Sequence, residues 1–253
     1  IIIILVAFAA SMLTFFSGFG LGTILTPAFI LFLPTELAVA ATAIVHFLNN
    51  LFKLTLIGKH TMKGILIRFG IPAILGAFIG AAALGYLSQL TSDQVLFSIF
   101  GFNTTLLNFT IGLLIIVFSL FELIPSLKNL QLGHQWLVPG GIISGFFGGL
   151  SGHQGALRSA FLIKLNLSKE QFVATGIAIA CLVDTMRIGT YAFTFDFTKI
   201  IDSSGLLVAA TAAAFGGAIL GKKLLKKVTI ESLQTIIGIM MILIGVLLMF
   251  GVI

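Results

Sequence analysis

Long apolar runs alternate with short polar ones along the chain, and the run lengths set the first expectation. A helix needs about 20 apolar residues to cross a bilayer, whereas about 10–14 indicates a re-entrant or buried piece. Six runs are long enough: Leu37–Ile57, Ile65–Leu87, Val95–Phe121, Phe172–Ala192, Leu206–Leu225 and Leu233–Ile253. Two further stretches are apolar but interrupted. Ile1–Leu33 contains Ser17-Gly18-Phe19-Gly20-Leu21-Gly22, and Leu137–Leu165 contains Gly148-Gly149-Leu150-Ser151-Gly152-His153-Gln154-Gly155. Glycine costs about 1 kcal/mol against alanine inside a helix, so each cluster is expected to break its helix into pieces of roughly 11–16 residues.

The two halves repeat. At a shift of 134 residues Ser17-Gly18 falls on Ser151-Gly152, Glu36 on Glu170, Val39-Ala40 on Val173-Ala174, Asn50 on Asp184 and Lys53 on Arg187. Gly76-x-x-x-Gly80 corresponds to Gly217-x-x-x-Gly221 at a slightly larger shift. Each half therefore reads as a broken element followed by three spans. The expected organisation is a first membrane repeat over 1–123, a linker over 124–136 and a second repeat over 137–253.

Composition narrows the class. Of 253 residues 58% are hydrophobic and 9% charged, against about a quarter charged in a soluble domain, so a polytopic helical membrane protein is expected. The net charge of +6 would suggest nucleic acid in a soluble chain; here it belongs to membrane loops, and no nucleic-acid partner is expected. The lone Cys181 excludes a disulfide framework and a Cys-based metal site. The first residue is not Met and lies in an apolar run, so the start reads as trimmed and gives no view of a signal peptide.

Charge then selects a topology. If each broken element crossed once, Lys59, Lys63, Arg68 and Lys128 would oppose Lys164, Lys169, Lys222, Lys223, Lys226 and Lys227, 4 against 6 with no bias. If each goes in and returns, or crosses twice as a short pair, all ten share one side. The other keeps Lys199 beside Glu36, Asp93, Asp196 and Asp202. Basic loops face the cytoplasm, so the second arrangement is expected, with both termini outside and the halves inverted. Inverted repeats with discontinuous helices are the architecture of secondary transporters. Their half-helix N-termini, here around Leu21–Thr23 and Gly155–Leu157, present free N–H groups to an anion.

The candidate site follows from charges and polar groups within apolar segments. Arg158, after the second break, is a fixed positive charge for an anion, part of an ion pair with Asp184 as a partner, or a snorkelled side chain at a short helix end. Asp184–Arg187 and Asn50–Lys53 each share a helix face at i,i+3. They line a polar route, with Asp184 as a proton carrier, or they satisfy one another while Lys53 snorkels to the interface. Ser17, Thr23, Ser151, His153 and Gln154 sit at the breaks, with Gly20, Gly22 and Gly155 offering backbone N–H groups; these contact a ligand or cap broken helices. At least one of Asn49 and Asn50 should face the interior. His46, His60 and His134 lack metal-ligand spacing, so no metal is expected, and no cofactor motif or Ser/His/Asp nucleophile set is present. Gly76/Gly80 and Gly217/Gly221 read as close-packing faces.

With the repeats in hand, the sequence resembles the sulfite exporter TauE/SafE family, also called the toluene sulfonate uptake permease family. The likeness rests on Ser17-Gly18-Phe19-Gly20-Leu21-Gly22-Thr23-Ile24-Leu25-Thr26-Pro27 followed by Glu36-Leu37-Ala38-Val39-Ala40-Ala41-Thr42. It recurs in Ser144-Gly145-Phe146-Phe147-Gly148-Gly149-Leu150-Ser151-Gly152, in Ala174-Thr175-Gly176 and in the two paired glycine motifs. The resemblance implies secondary transport of a sulfur oxyanion or organosulfonate across a prokaryotic cytoplasmic membrane. Two departures fall at the expected site: His153-Gln154-Gly155-Ala156-Leu157-Arg158 replaces a plainer glycine run, and Phe161 stands opposite Pro27. The expected partners are a small anion, a proton or other coupling ion, and membrane lipid, with a homodimer left open. An anion channel is the first alternative. A membrane enzyme or sulfur-relay component using Cys181 is the second.

Overall fold

A computed structural model describes residues 1–17, 20–91, 94–99, 101–124, 126, 132–224 and 231–253, without side chains for 14–17, 91, 122, 224, 231–234, 236 and 237. Gly18, Asp93, Lys128, Leu225, Lys226, Lys227, the Ser17 side chain and much of the 124–136 linker therefore lie outside the described residues. The chain is almost all helix: α1 (Ile2–Ser17), α2 (Leu21–Ile30), α3 (Thr35–Ile57), α4 (Lys63–Leu90), α5 (Leu106–Leu123), α6 (Leu137–Ser151), α7 (Gly155–Leu162), α8 (Lys169–Thr194), a short α9 (Thr198–Asp202), α10 (Ser204–Leu224) and α11 (Glu231–Met249). Among the described residues α3, α4, α8 and α10 are long and apolar enough to cross a membrane.

One expected span is not a single helix. Val95–Phe121 begins as a hairpin of β1 (Phe97–Ile99) and β2 (Phe102–Thr104), and only then becomes α5. Gly101, at φ 84°, makes the turn, and the Thr105 hydroxyl caps α5 by accepting from the Asn108 N–H at 3.1 Å. A turn glycine and an N-cap threonine stop a helix however apolar their neighbours are. The hairpin packs back through Phe97 onto Phe109 and Phe250. The start of α8 follows its local sequence too: Ser168 and Gln171 form a reciprocal capping box.

Contacts between helices are preserved when the halves are exchanged. α1 packs on α10 as α6 packs on α4; α2 lies on α3 as α7 lies on α8; α3 meets α8, and α5 meets α11. Directions follow from neighbouring residues. Gly141, Gly145 and Gly149 of α6 lie beside Phe69, Ala73 and Ala77, so α6 and α4 run parallel. Gly70 touches Leu182 and Gly85 touches Thr194, so α4 and α8 run parallel as well. By contrast α3 and α8 are antiparallel, with His46 at Asp184 but Met62 at Thr175. So are α5 and α11, with Gly112 at Met249 but Leu123 at Gly238.

The second broken element turns back on itself. Gly140 near the start of α6 meets Phe161 near the end of α7, while Gly148 meets Gln154 at the break. The turn uses Gly152 at φ 83°, a left-handed conformation that glycine adopts without a Cβ penalty. Four basic positions share one end of the bundle. Thr61 and Met62, between Lys59 and Lys63, bond to Ala174 and Thr175 near Lys169, and Lys222 Nζ donates to the Leu56 carbonyl.

Helices in lipid gain little from burying apolar surface against each other and associate through close packing. The seam of α4 and α6 shows this: a Cβ on Gly80 would lie 1.9 Å from the Phe146 carbonyl oxygen, and one on Gly149 would lie 2.1 Å from that of Ala77. Gly80→Ala should therefore destabilise the protein by about 1–3 kcal/mol. Gly64→Ala, with nothing within 4 Å, should stay within about 0.5 kcal/mol of the parent. Unfolding of the purified variants in detergent measures both, and equal stability would contradict this packing.

Candidate functional site

Both breaks meet at one place. Gly20, Leu21, Gly22 and Thr23 at the start of α2 face Gly152, Gln154, Gly155 and Arg158 at the second break. His46, Asn50 and Lys53 of α3 and Ile177 and Ala180 of α8 close the ring. α3 runs 35–57 and α8 169–194, so the void sits midway along both long helices. The space open to a water-sized sphere's centre is about 20 Å³, enough for about one water molecule.

Two helix N-termini point into this space. The first helical bonds are Ile24 N–H to the Gly20 carbonyl and Arg158 N–H to the Gln154 carbonyl, each 3.0 Å. The N–H groups of 21–23 and 155–157 precede them, as the first turn of any helix leaves its donors without helical acceptors. The aligned peptide dipoles add partial positive charge at both ends.

Side chains add more. Among the described residues the buried charges are Lys53, Arg158, Arg187 and Asp184, three cations against one carboxylate and a net of +2. The carboxylate is committed. Asp184 Oδ1 accepts from Arg187 Nε at 3.0 Å and from Gln154 Nε2 at 3.4 Å, with Arg187 Nη2 at 2.9 Å, while Oδ2 lies 2.6 Å from His46 Nδ1. Arg187 Nη1 also donates to the Gly148 carbonyl at 3.3 Å, and the Tyr191 hydroxyl donates to that of Gly149. This locks α8 to the end of α6. Arg158 Nη1 donates to Gln154 Oε1 at 3.3 Å, so Gln154 stands between the guanidinium and the carboxylate. Turned to suit its neighbours, the Asn49 amide accepts from Lys53 Nζ at 3.1 Å and donates to the Ala214 carbonyl at 3.2 Å.

The expected residues distribute as follows. Gly20, Gly22, Thr23, Asn50, Gln154, Gly155 and Arg158 line the void. Asp184 and Arg187, each 0% exposed, stand behind it as a pair. Ser151 and His153 face elsewhere: Ser151 Oγ donates to the Phe147 carbonyl, and the His153 ring stacks on Phe118 with Nδ1 3.0 Å from Ser151 Oγ. The snorkelling alternative for Lys53 does not hold: it is 2% exposed and lines the void. His46 was not among the expected site residues. Its signal lay in the spacing of 46, 50 and 53, at i, i+4 and i+7 on one face of α3.

Four long apolar helices around a polar, cation-rich centre are those of a multi-pass membrane protein. The sequence profile described as Sulfite exporter TauE/SafE matches residues 3–248. The chain belongs to that family, whose members are membrane transporters. No curated protein and no solved structure matched the chain.

Removing one partner of a buried ion pair leaves a charge without compensation, at about 3–5 kcal/mol. Arg187→Leu should lose stability on that scale in a denaturation assay, whereas Lys223→Leu at an exposed position should change little. An Arg187→Leu protein as stable as the parent would show that the pair does not hold the centre.

Proposed function

We propose that this chain is a secondary transporter carrying a small anion, a sulfur oxyanion such as sulfite or an organosulfonate, by alternating access through the central site. The observation that carries this reading is the excess of buried positive charge, among the described residues, beside two converging helix N-termini, midway along α3 and α8. A cationic cage of that kind suits an anion and repels a cation. Family membership supports a sulfur-containing anion.

The antiparallel crossings of equivalent helices, α3 with α8 and α5 with α11, support inverted repeats. One broken element and its partners would rock against the other. The size of the void supports a carrier over an open pore. Sulfite, with four heavy atoms, does not fit where one water does, so at least one break must move to admit it. A second void of about 350 Å³ lies at the far end of α2, lined by Pro34, Glu36, Ser88, Asn108 and Ile253, at the end of the bundle opposite Lys59. It is an entry or exit vestibule with α2 as the wall between it and the site. In this reading the basic end is cytoplasmic, both termini are outside, and the membrane is a prokaryotic inner membrane.

Charge-assisted hydrogen bonds contribute about 1.5–3 kcal/mol each, so Arg158→Ala or Lys53→Met should weaken sulfite binding to purified protein about tenfold or more. Lys223→Ala should leave binding unchanged. Equal, small effects from all three would remove the assigned site. Electrical recording of the protein in bilayers separates the channel alternative, since large currents without anion exchange would make it a channel.

A further inference from the structure

We propose that His46 is the proton carrier of this transporter, taking up one proton as the anion enters the central site and releasing it as the anion leaves. This rests on the anion-transport reading and names its co-substrate. The sequence offers Asp184 as a candidate for the task, but the geometry moves it. Asp184 is sealed behind the void with donors on both oxygens: Arg187 and Gln154 on Oδ1, His46 on Oδ2. A proton arriving through the void meets His46 first, because His46 lines it and Asp184 does not.

The ring is oriented for such a step. A carboxylate only accepts, so His46 Nδ1 carries hydrogen and donates to Asp184 Oδ2 at 2.6 Å. That leaves Nε2 as the site of exchange. Asn50 Nδ2 lies 3.2 Å from Nδ1 and 3.3 Å from Nε2; with Nδ1–H given to Asp184, Nε2 is the ring nitrogen able to accept from it. Cδ2, the carbon bonded to Nε2, is the His46 atom nearest a Cβ built on Gly22, at 3.9 Å, so this edge faces the start of α2. Once Nε2 is protonated, the Asn50 amide hydrogens no longer suit it and Nε2–H needs an acceptor. An anion held between the α2 and α7 N-termini supplies one. Proton and anion therefore favour each other's binding: imidazole gains H⁺ at Nε2, Asp184 and Arg187 keep their charges, and the same proton departs with the anion.

The charged groups around His46 come from every neighbouring element. Asp184 and Arg187 are on α8 and Arg158 is on α7; Lys53, on its own helix, lines the same void, and α2 contributes Gly22 and Thr23, which do not titrate. Arg187, Arg158 and Lys53 bring positive charge around the ring and Asp184 brings negative charge to Nδ1; an incoming anion adds negative charge on the Nε2 side. This is the physical basis for coupling.

Calorimetric titration of wild-type protein with sulfite in buffers of different ionisation enthalpy, at about pH 8, counts protons taken up on binding. Close to one proton per sulfite is expected. His46→Asn keeps a donor where Nδ1 stands but has no ring to charge; it should bind sulfite more weakly and lose that uptake. Uptake in His46→Asn equal to wild type overturns the inference. A wild type that binds sulfite without proton uptake also overturns it but leaves the anion site standing, and one that binds no sulfite overturns both. His46 can also be watched intact. In the His60→Gln, His134→Gln, His153→Gln protein it is the last of the four histidines, and nitrogen NMR should show its ring become doubly protonated on sulfite addition. A ring that stays neutral contradicts the assignment.

Discussion

Asp184 lies fully buried among donors from three elements: Arg187 one turn along α8, His46 on α3 and Gln154 in the turn between α6 and α7. An ionised carboxylate taken out of water costs several kcal/mol unless its lone pairs are filled. The same charge thus fixes the crossing of the two long central helices and the shape of the second break. Arg187 extends the lock to α6 through the Gly148 carbonyl, and Tyr191 does so through that of Gly149. With the carboxylate spent on holding the frame, Lys53 and Arg158 remain to face the void.

Among the described residues the rest of the fold serves that centre without adding buried charge. Equivalent helices of the two halves exchange partners, α1 with α10 and α6 with α4, so each broken element is braced by a long helix of the opposite half. Where α6 lies against α4, glycines allow backbones to touch and van der Waals packing replaces the hydrophobic drive that lipid lacks. A broken element supported in this way can stop at mid-depth. Its orphan N–H groups then fall beside Lys53 and Arg158 rather than in lipid, where they would be costly.

Much of this was legible from residue patterns. The breaks at Gly18–Gly22 and Gly148–Gly155 were visible as glycine clusters in apolar runs, and Asn50 and Lys53 fell on Asp184 and Arg187 by the repeat. The hairpin at Phe97–Thr104 was hidden because apolarity cannot separate a strand from a helix in a short run; Gly101 and Thr105 were its only local marks. His46 was hidden for another reason. Its importance comes from Asp184, 138 positions away, and the repeat places Ala180 opposite it, so no internal echo drew notice. His153 and Ser151 stood out as polar residues at a break, yet the turn at Gly152 carries them away from the void, and His153 stacks on Phe118. Polarity marked the neighbourhood, while backbone direction decided which side chains entered it.

The account stands on an anion resting between the two helix N-termini, and a structure of the protein with selenite, the heavier analogue of sulfite, examines this most directly. It places the selenium, by anomalous scattering, within hydrogen-bond reach of Arg158 or Lys53 and of the N–H groups at 21–23 or 155–157. Selenite found only in the vestibule beside Glu36, with the central void still closed and empty, would contradict it.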